Sequence, residues 1–127
     1  MKMPTPLELL GQNCRPLKDA LTQAQIDAML PAFIGWTQGQ NSLQQQISKT
    51  YRFKDYYETL AFINAIAYTI HAQDHHPDLH VGYQQCTVCF NTHSVNAGKG
   101  GISTNDFICA AKIDAIFEQT FCAAPAC

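Results

Sequence analysis

Residues 55–93 read DYYETLAFINAIAYTIHAQDHHPDLHVGYQQCTVCFNTH, and this stretch decides the fold. Asp55 and Glu58 form an N-cap pair. Tyr56, Leu60, Ile63, Ala67 and Ile70 then recur at helical spacing, which predicts a helix running to about Ala72 and carrying His71 at its C-terminal end. Pro77 forbids helix at His76, because its ring biases the preceding residue to extended geometry. Beyond it, Leu79–Tyr83 and Cys86–Thr92 predict two strands joined by a turn at Gln84-Gln85, with Cys86, Val88 and Phe90 on the core face. So short a connection pairs the strands antiparallel.

Working outward, the same grammar recurs on both sides. Thr22 and Gln25 make a capping-box pattern ahead of Ile26, Met29, Leu30 and Phe33, predicting a helix over about residues 22–33 that Gly35 ends. Trp36–Gln40, a turn at Asn41-Ser42 and a second strand follow. In that strand Leu43, Ile47, Tyr51 and Phe53 share one face, opposite Gln44, Gln46, Ser48, Thr50 and Arg52. On the C-terminal side, Asn96–Gly101 is a glycine-rich loop, and Ser103 caps a last helix with the inner stripe Ala110, Ile113, Phe117 and Phe121. The order α-β-β-α-β-β-α is an α+β architecture: one four-stranded antiparallel sheet with three helices packed on one face. Residues 1–20, with Pro4, Pro6 and Pro16 and no sustained period, read as an irregular leader or an extension folded onto the domain.

At 127 residues, 46% hydrophobic and 14% charged, the chain is expected to form one domain, 1–127, since halves would be too small to bury adequate cores. Its formal net charge of −2, without any run of Lys or Arg, argues against direct binding to nucleic acid or an anionic membrane. The opening MKMPTPLELLGQNCRPL lacks a long apolar region and no later stretch is long enough to span a bilayer, so a cytoplasmic location is expected. There the six cysteines would be reduced.

All five histidines, His71, His75, His76, His80 and His93, fall between positions 71 and 93. Clustered imidazoles hold mixed protonation states near neutral pH, so they can serve as both proton donor and proton acceptor. Asp74 and Asp106 are placed to hold imidazole N–H groups, and adjacent His75 and His76 reach one pocket only if the backbone turns, as the helix end and Pro77 allow. His80 reads as a surface residue. A zinc reading of Cys86-x-x-Cys89 with His93 is disfavoured, because strand residues three apart face opposite sides. The glycines of residues 96–101 lack a following GKS or GKT and read as a flexible turn, and Cys109 and Cys122 read as small buried helical residues.

His71, then His75-His76-Pro77 after three residues, Tyr83 after five, His93 after nine and Asp106 after twelve, together resemble the pattern of the pterin-4a-carbinolamine dehydratase family. Gly35-Trp36, Phe53-Lys54-Asp55-Tyr56, Phe62 and Thr92-His93 add to the resemblance, which covers about residues 20–121. His71 stands where many members carry Glu, and the Asn96–Gly101 loop is a few residues longer than in familiar members. The resemblance implies dehydration of a 4a-hydroxytetrahydropterin to a quinonoid dihydropterin, in tetrahydropterin recycling. It makes His75, His76 and His93 the catalytic candidates, with His71, Asp74, Pro77 and Asp106 supporting or binding substrate. No metal and no cofactor is implied, because the reaction involves no redox change. The expected partners are a small pterin substrate and further copies of the chain, as homodimer or homotetramer. The alternative is a non-catalytic dimerisation or assembly-factor module on the same fold.

Overall fold

The computed structural model describes residues 3–40 and 45–121. In chain order the elements are α1 (Pro6–Leu10), α2 (Gln23–Met29), β1 (Thr37–Gln40), β2 (Gln45–Arg52), α3 (Tyr56–Gln73), β3 (Asp78–Val81), β4 (Gln85–Phe90) and α4 (Thr104–Thr120). The sheet is antiparallel throughout, in the order β1-β2-β4-β3, so each hairpin contributes one central and one edge strand. This is the α+β architecture expected from the sequence. Leu43 and the Asn41-Ser42 turn lie outside the described residues, as do Cys122 and Cys127.

The register explains the core. Ile47 lies opposite Phe90 and Tyr51 opposite Cys86, so the apolar alternation of the two central strands falls on one face. Against it pack Phe62 and Ile66 of α3 and Phe107, Ile108, Ala110 and Ile113 of α4, all buried. Phe62 sits at the centre of an aromatic group, with ring centroids 4.8 Å from Tyr51 and 5.1 Å from Phe53.

Three local readings need correction. The predicted helix over 22–33 keeps its capping box at Thr22 and Gln25, but its α-helical part ends at Met29 and Leu30–Ala32 tightens into a 3-10 turn. Pro31 has no N–H to continue the ladder, which accounts for the early stop. On α3 the buried stripe is Thr59, Phe62 and Ile66; Tyr56, Leu60 and Ala67 face outward, while Ile63 and Ile70 are partly buried. This helix is apolar nearly all round, so spacing alone cannot choose its inner face; the tyrosines keep their hydroxyls toward water, Phe62 turns inward, and the Thr59 hydroxyl shares its proton between the Asp55 and Tyr83 carbonyls at 3.0 and 3.1 Å. Finally, the leader contains a helix where none was expected. Thr5 caps α1, Pro6 occupies a first-turn position, and Leu9 is fully buried in the core beside α4.

From the last residue of α1 onward the leader is tied across the molecule by a series of hydrogen bonds. The Lys112 ammonium donates to the Leu10 carbonyl at 2.8 Å, Ala20 N–H donates to Asn96 Oδ1 at 3.1 Å, and Leu21 N–H donates to the Ile102 carbonyl at 2.8 Å. The Asn96–Gly101 loop is therefore a clamp on the leader rather than the plain turn expected. Asn96 and Ala97 take left-handed backbones at φ 55° and 56°, and a side chain at Gly101 would lie 2.8 Å from Ala20 Cβ.

Candidate active site

The site begins where α3 stops. Asp74 takes a left-handed conformation, φ 50° and ψ 42°, with its N–H donating to the His71 carbonyl. Aspartate tolerates this geometry better than most residues. The reversal sends the two adjacent imidazoles different ways: the side chain of His75 is 12% exposed and that of His76 68%. His75 Nε2 lies 2.5 Å from Asp106 Oδ1, and its ring stacks nearly parallel on Phe90, with centroids 5.7 Å apart. A carboxylate fixes one edge of the ring and a phenyl one face.

Asp106 is held just as firmly. It is fully buried in the first turn of α4, where it is the third residue of a capping box with Ser103. Its Oδ2 accepts from Ser103 N–H at 2.8 Å and from the Thr92 hydroxyl at 3.0 Å, and the Thr92 and Ser103 hydroxyls lie 2.6 Å apart. A buried carboxylate with three donors is a stable electrostatic partner for an imidazole. Burial alone would lower the basicity of His75. The hydrogen bond and charge of Asp106, with a contribution from Cys14, outweigh it and raise His75 above the ordinary histidine value.

His75 opens onto a cleft of about 350 Å³, whose lining includes Gln73, Asp74, Thr92, Ser94 and Asn105. Its remaining wall is the leader, residues 14–17. That wall is fastened by the neighbours of the two central residues. Gln73 accepts from Cys14 N–H at 2.7 Å and donates to Asn13 Oδ1 at 3.0 Å. The Asn105 amide accepts from Arg15 N–H at 3.2 Å and donates to the Arg15 carbonyl at 2.7 Å.

The other sequence candidates are dispersed around this centre. Asp74 lines the cleft but is itself 93% exposed, and its carboxylate lies 4.0 Å from His76 Nε2, beyond hydrogen-bond range. The expectation that Asp74 clamps an imidazole as Asp106 does is therefore corrected. His93 is exposed, between the cleft residues Thr92 and Ser94. His71 is exposed in the last turn of α3, and half-buried Pro77 leads into β3. His80 is exposed on β3, opposite Thr87. Cys86 and Cys89 sit on opposite faces of the regular strand β4, and among the described residues no three His, Cys, Asp or Glu side chains group as a metal site.

Sequence reasoning missed Thr92 and Ser103 as partners of Asp106, although Ser103-x-x-Asp106 is a capping-box spacing that could have revealed the second. It also missed Cys14, Gln73 and Asn105, which no motif marks.

Comparison with known proteins places the chain in a family. Residues 19–116 match the family described as pterin 4 alpha carbinolamine dehydratase. A candidate pterin-4-alpha-carbinolamine dehydratase of Bdellovibrio bacteriovorus is 52% identical over 120 residues, covering 94% of this chain and 96% of that one. A similarly named protein of Nitrosospira multiformis is 44% identical over 87% of this chain and 94% of its own length. The crystal structure of a transcriptional coactivator/pterin dehydratase from Brucella melitensis superposes with a TM-score of 0.67 at 28% identity, covering 77% of this chain and 98% of that one. With the family pattern matched from before α2 to within α4, the chain belongs to the pterin 4 alpha carbinolamine dehydratase family.

Proposed function

We propose that this chain is a hydro-lyase that dehydrates a 4a-hydroxytetrahydropterin to the quinonoid dihydropterin by histidine acid–base catalysis, the recycling step that follows an aromatic amino acid hydroxylase. The chemistry sets two demands. Hydroxide leaves C4a poorly unless it is protonated, and the proton on N5 must depart as the C4a–N5 double bond forms. Electrons stay within the pterin, so acid and base groups meet both demands.

The observation that carries this reading is the His75–Asp106 pair at the wall of a cleft. With Nε2 engaged by Asp106, a protonated His75 has Nδ1–H left to donate, and its raised basicity favours that form. In this reading His75 binds and polarises the 4a-hydroxyl. His76 and His93, exposed and without a hydrogen-bonding partner among the described residues, carry the protons to and from the pterin. Asp106 positions His75; His71, Asp74 and Pro77 support the turn or contact substrate. The active assembly is a homodimer or homotetramer. No helix among the described residues is long and apolar enough to cross a membrane.

The test is a direct dehydration assay on enzymatically generated 4a-hydroxytetrahydropterin. His76→Ala and His93→Ala should each lower kcat by about 10²–10⁴-fold, the usual cost of losing an acid–base group. Equal rates for the wild type and a His75→Ala, His76→Ala double variant would remove the catalytic reading. A second reading follows from the Brucella neighbour, which is described both as a transcriptional coactivator and as a pterin dehydratase: a non-catalytic dimerisation or assembly module on the same fold. Oligomerisation without dehydration would select it.

A further inference from the structure

The wall of the cleft holds a pair of thiols that the dehydration does not use. Cys14, in the leader, and Cys109, one turn beyond Asp106 on α4, have sulfurs 3.4 Å apart although 95 positions separate them in sequence. We propose that Cys14 and Cys109 are a peroxide-responsive dithiol whose oxidation joins the leader wall covalently to α4.

The two thiols divide the roles such a reaction needs. Cys14 is half-buried and lines the cleft, so a small hydroperoxide reaches it; Cys109 is buried directly behind it. The hydrogen bond from Cys109 pulls Cys14 below the ordinary thiol range, with His75 and Lys112 reinforcing the effect against burial and the Asp106 charge, while the same contact and burial hold Cys109 far above it, so Cys109 gives up its proton only as it attacks. Burial instead pushes Cys86 up to about 11 and raises Cys89 as well. The more acidic, accessible thiol is the one that attacks. The Cys14 thiolate attacks one oxygen of hydrogen peroxide; the O–O bond breaks, hydroxide leaves and takes up the proton that Cys14 gave up, departing as water, and a sulfenic acid remains on Cys14. Cys109 then attacks that sulfur, the S–O bond breaks, a second water leaves and the disulfide forms. The protein gives up two electrons and two protons to the peroxide, and an excess of small thiol reverses the change.

The sequence supplies a clean readout. Tryptic cleavage after Lys2, Lys18, Lys99 and Lys112 puts Cys14 in peptide 3–18 and Cys109 in peptide 100–112, apart from Cys86 and Cys89 and from Cys122 and Cys127. The folded full-length protein is treated with hydrogen peroxide, its remaining thiols are alkylated, and the digest is mapped by mass. Peptides 3–18 and 100–112 should appear joined at peroxide doses that leave Cys86 and Cys89 alkylatable, and dithiothreitol should separate them. Cys14→Ser should abolish the joined species. Cys109→Ser, which keeps a donor beside Cys14 but cannot form the disulfide, should leave Cys14 as a sulfenic acid that dimedone traps. Cys14 joined elsewhere, Cys14 unreacted, or the same pairing frequency in urea-unfolded protein would each overturn the proposal.

Discussion

α4 carries two aspartates that look alike and work differently. Asp106, in its first turn, takes hydrogen bonds from Ser103, Thr92 and His75. Asp114, two turns on, accepts from the Trp36 indole at 2.9 Å, the Lys49 ammonium at 2.9 Å and the Tyr51 hydroxyl at 2.5 Å. Each thus satisfies a carboxylate with three donors. The donors differ in kind: Asp114 holds an indole, an ammonium and a phenol, and burial and then Asp114 push the Tyr51 phenol far up, so it stays a donor. Between the two clusters, the Asp106 one holds an imidazole and the Asp114 one does not, and the Asp106 cluster meets the cleft through His75. A satisfied buried carboxylate therefore does not mark a site by itself; what makes Asp106 part of the candidate site is the imidazole it holds at the cleft.

Asp106→Ala should break the comparison most severely. It strands the Ser103 N–H, the Thr92 hydroxyl and one edge of His75 in a fully buried place, at a cost of about 3–5 kcal/mol of stability, as when one partner of a buried pair is removed. Urea denaturation measures it, and dehydration should fall further than the folded fraction explains. Asp114→Ala should cost less, about 1.5–3 kcal/mol. Its cluster is partly open to water, with side-chain exposures of 20% for Lys49 and 16% for Asp114, and Lys49 keeps the Ile34 carbonyl at 3.2 Å. The remaining folded protein should turn over at the wild-type kcat. A collapse of kcat in Asp114→Ala would mean the two clusters are not functionally separate.

The clusters should also differ in response to pH. His75 is more basic folded than unfolded, so its contribution to stability is complete below the unfolded value of about 6.5 and is lost as pH rises through the higher folded value. Stability measured across that window should decline in the wild type and in Asp114→Ala. In His75→Gln that component of the decline should be absent. A wild-type slope retained by His75→Gln would assign the titration to another group.

The same contrast explains what the sequence disclosed. Strand alternation at Ile47, Tyr51 and Phe53 and at Cys86, Val88 and Phe90, with the caps at Thr22, Asp55 and Ser103, was enough for the fold, because each is a local rule with one outcome. The inner face of α3 was not legible, since apolar residues surround that helix and tertiary packing chooses among them. Clustering of histidines pointed to the region of the candidate site, yet not to the divergence of His75 and His76, which depends on the backbone of Asp74. Contacts spanning long sequence separations, Cys14 with Gln73 and Arg15 with Asn105, leave no periodic trace, and Asp114 carries no motif at all.

The smallest expected effect belongs to His80→Ala, which serves as the control for the pH argument. His80 has the same side chain as His75 and lies only five positions on, but it sits exposed on edge strand β3 opposite Thr87 and outside the cleft. Among the described residues no carboxylate forms an ion pair with it. Substituting an exposed residue without such partners changes stability by less than about 0.5 kcal/mol, and kcat should match the wild type. Denaturation curves at low and high pH, run beside those of His75→Gln, make the comparison. If His80→Ala also flattened the decline, the response would follow from the number of histidines in the chain. If it left the decline intact, the response would belong to the one imidazole that a buried carboxylate grips.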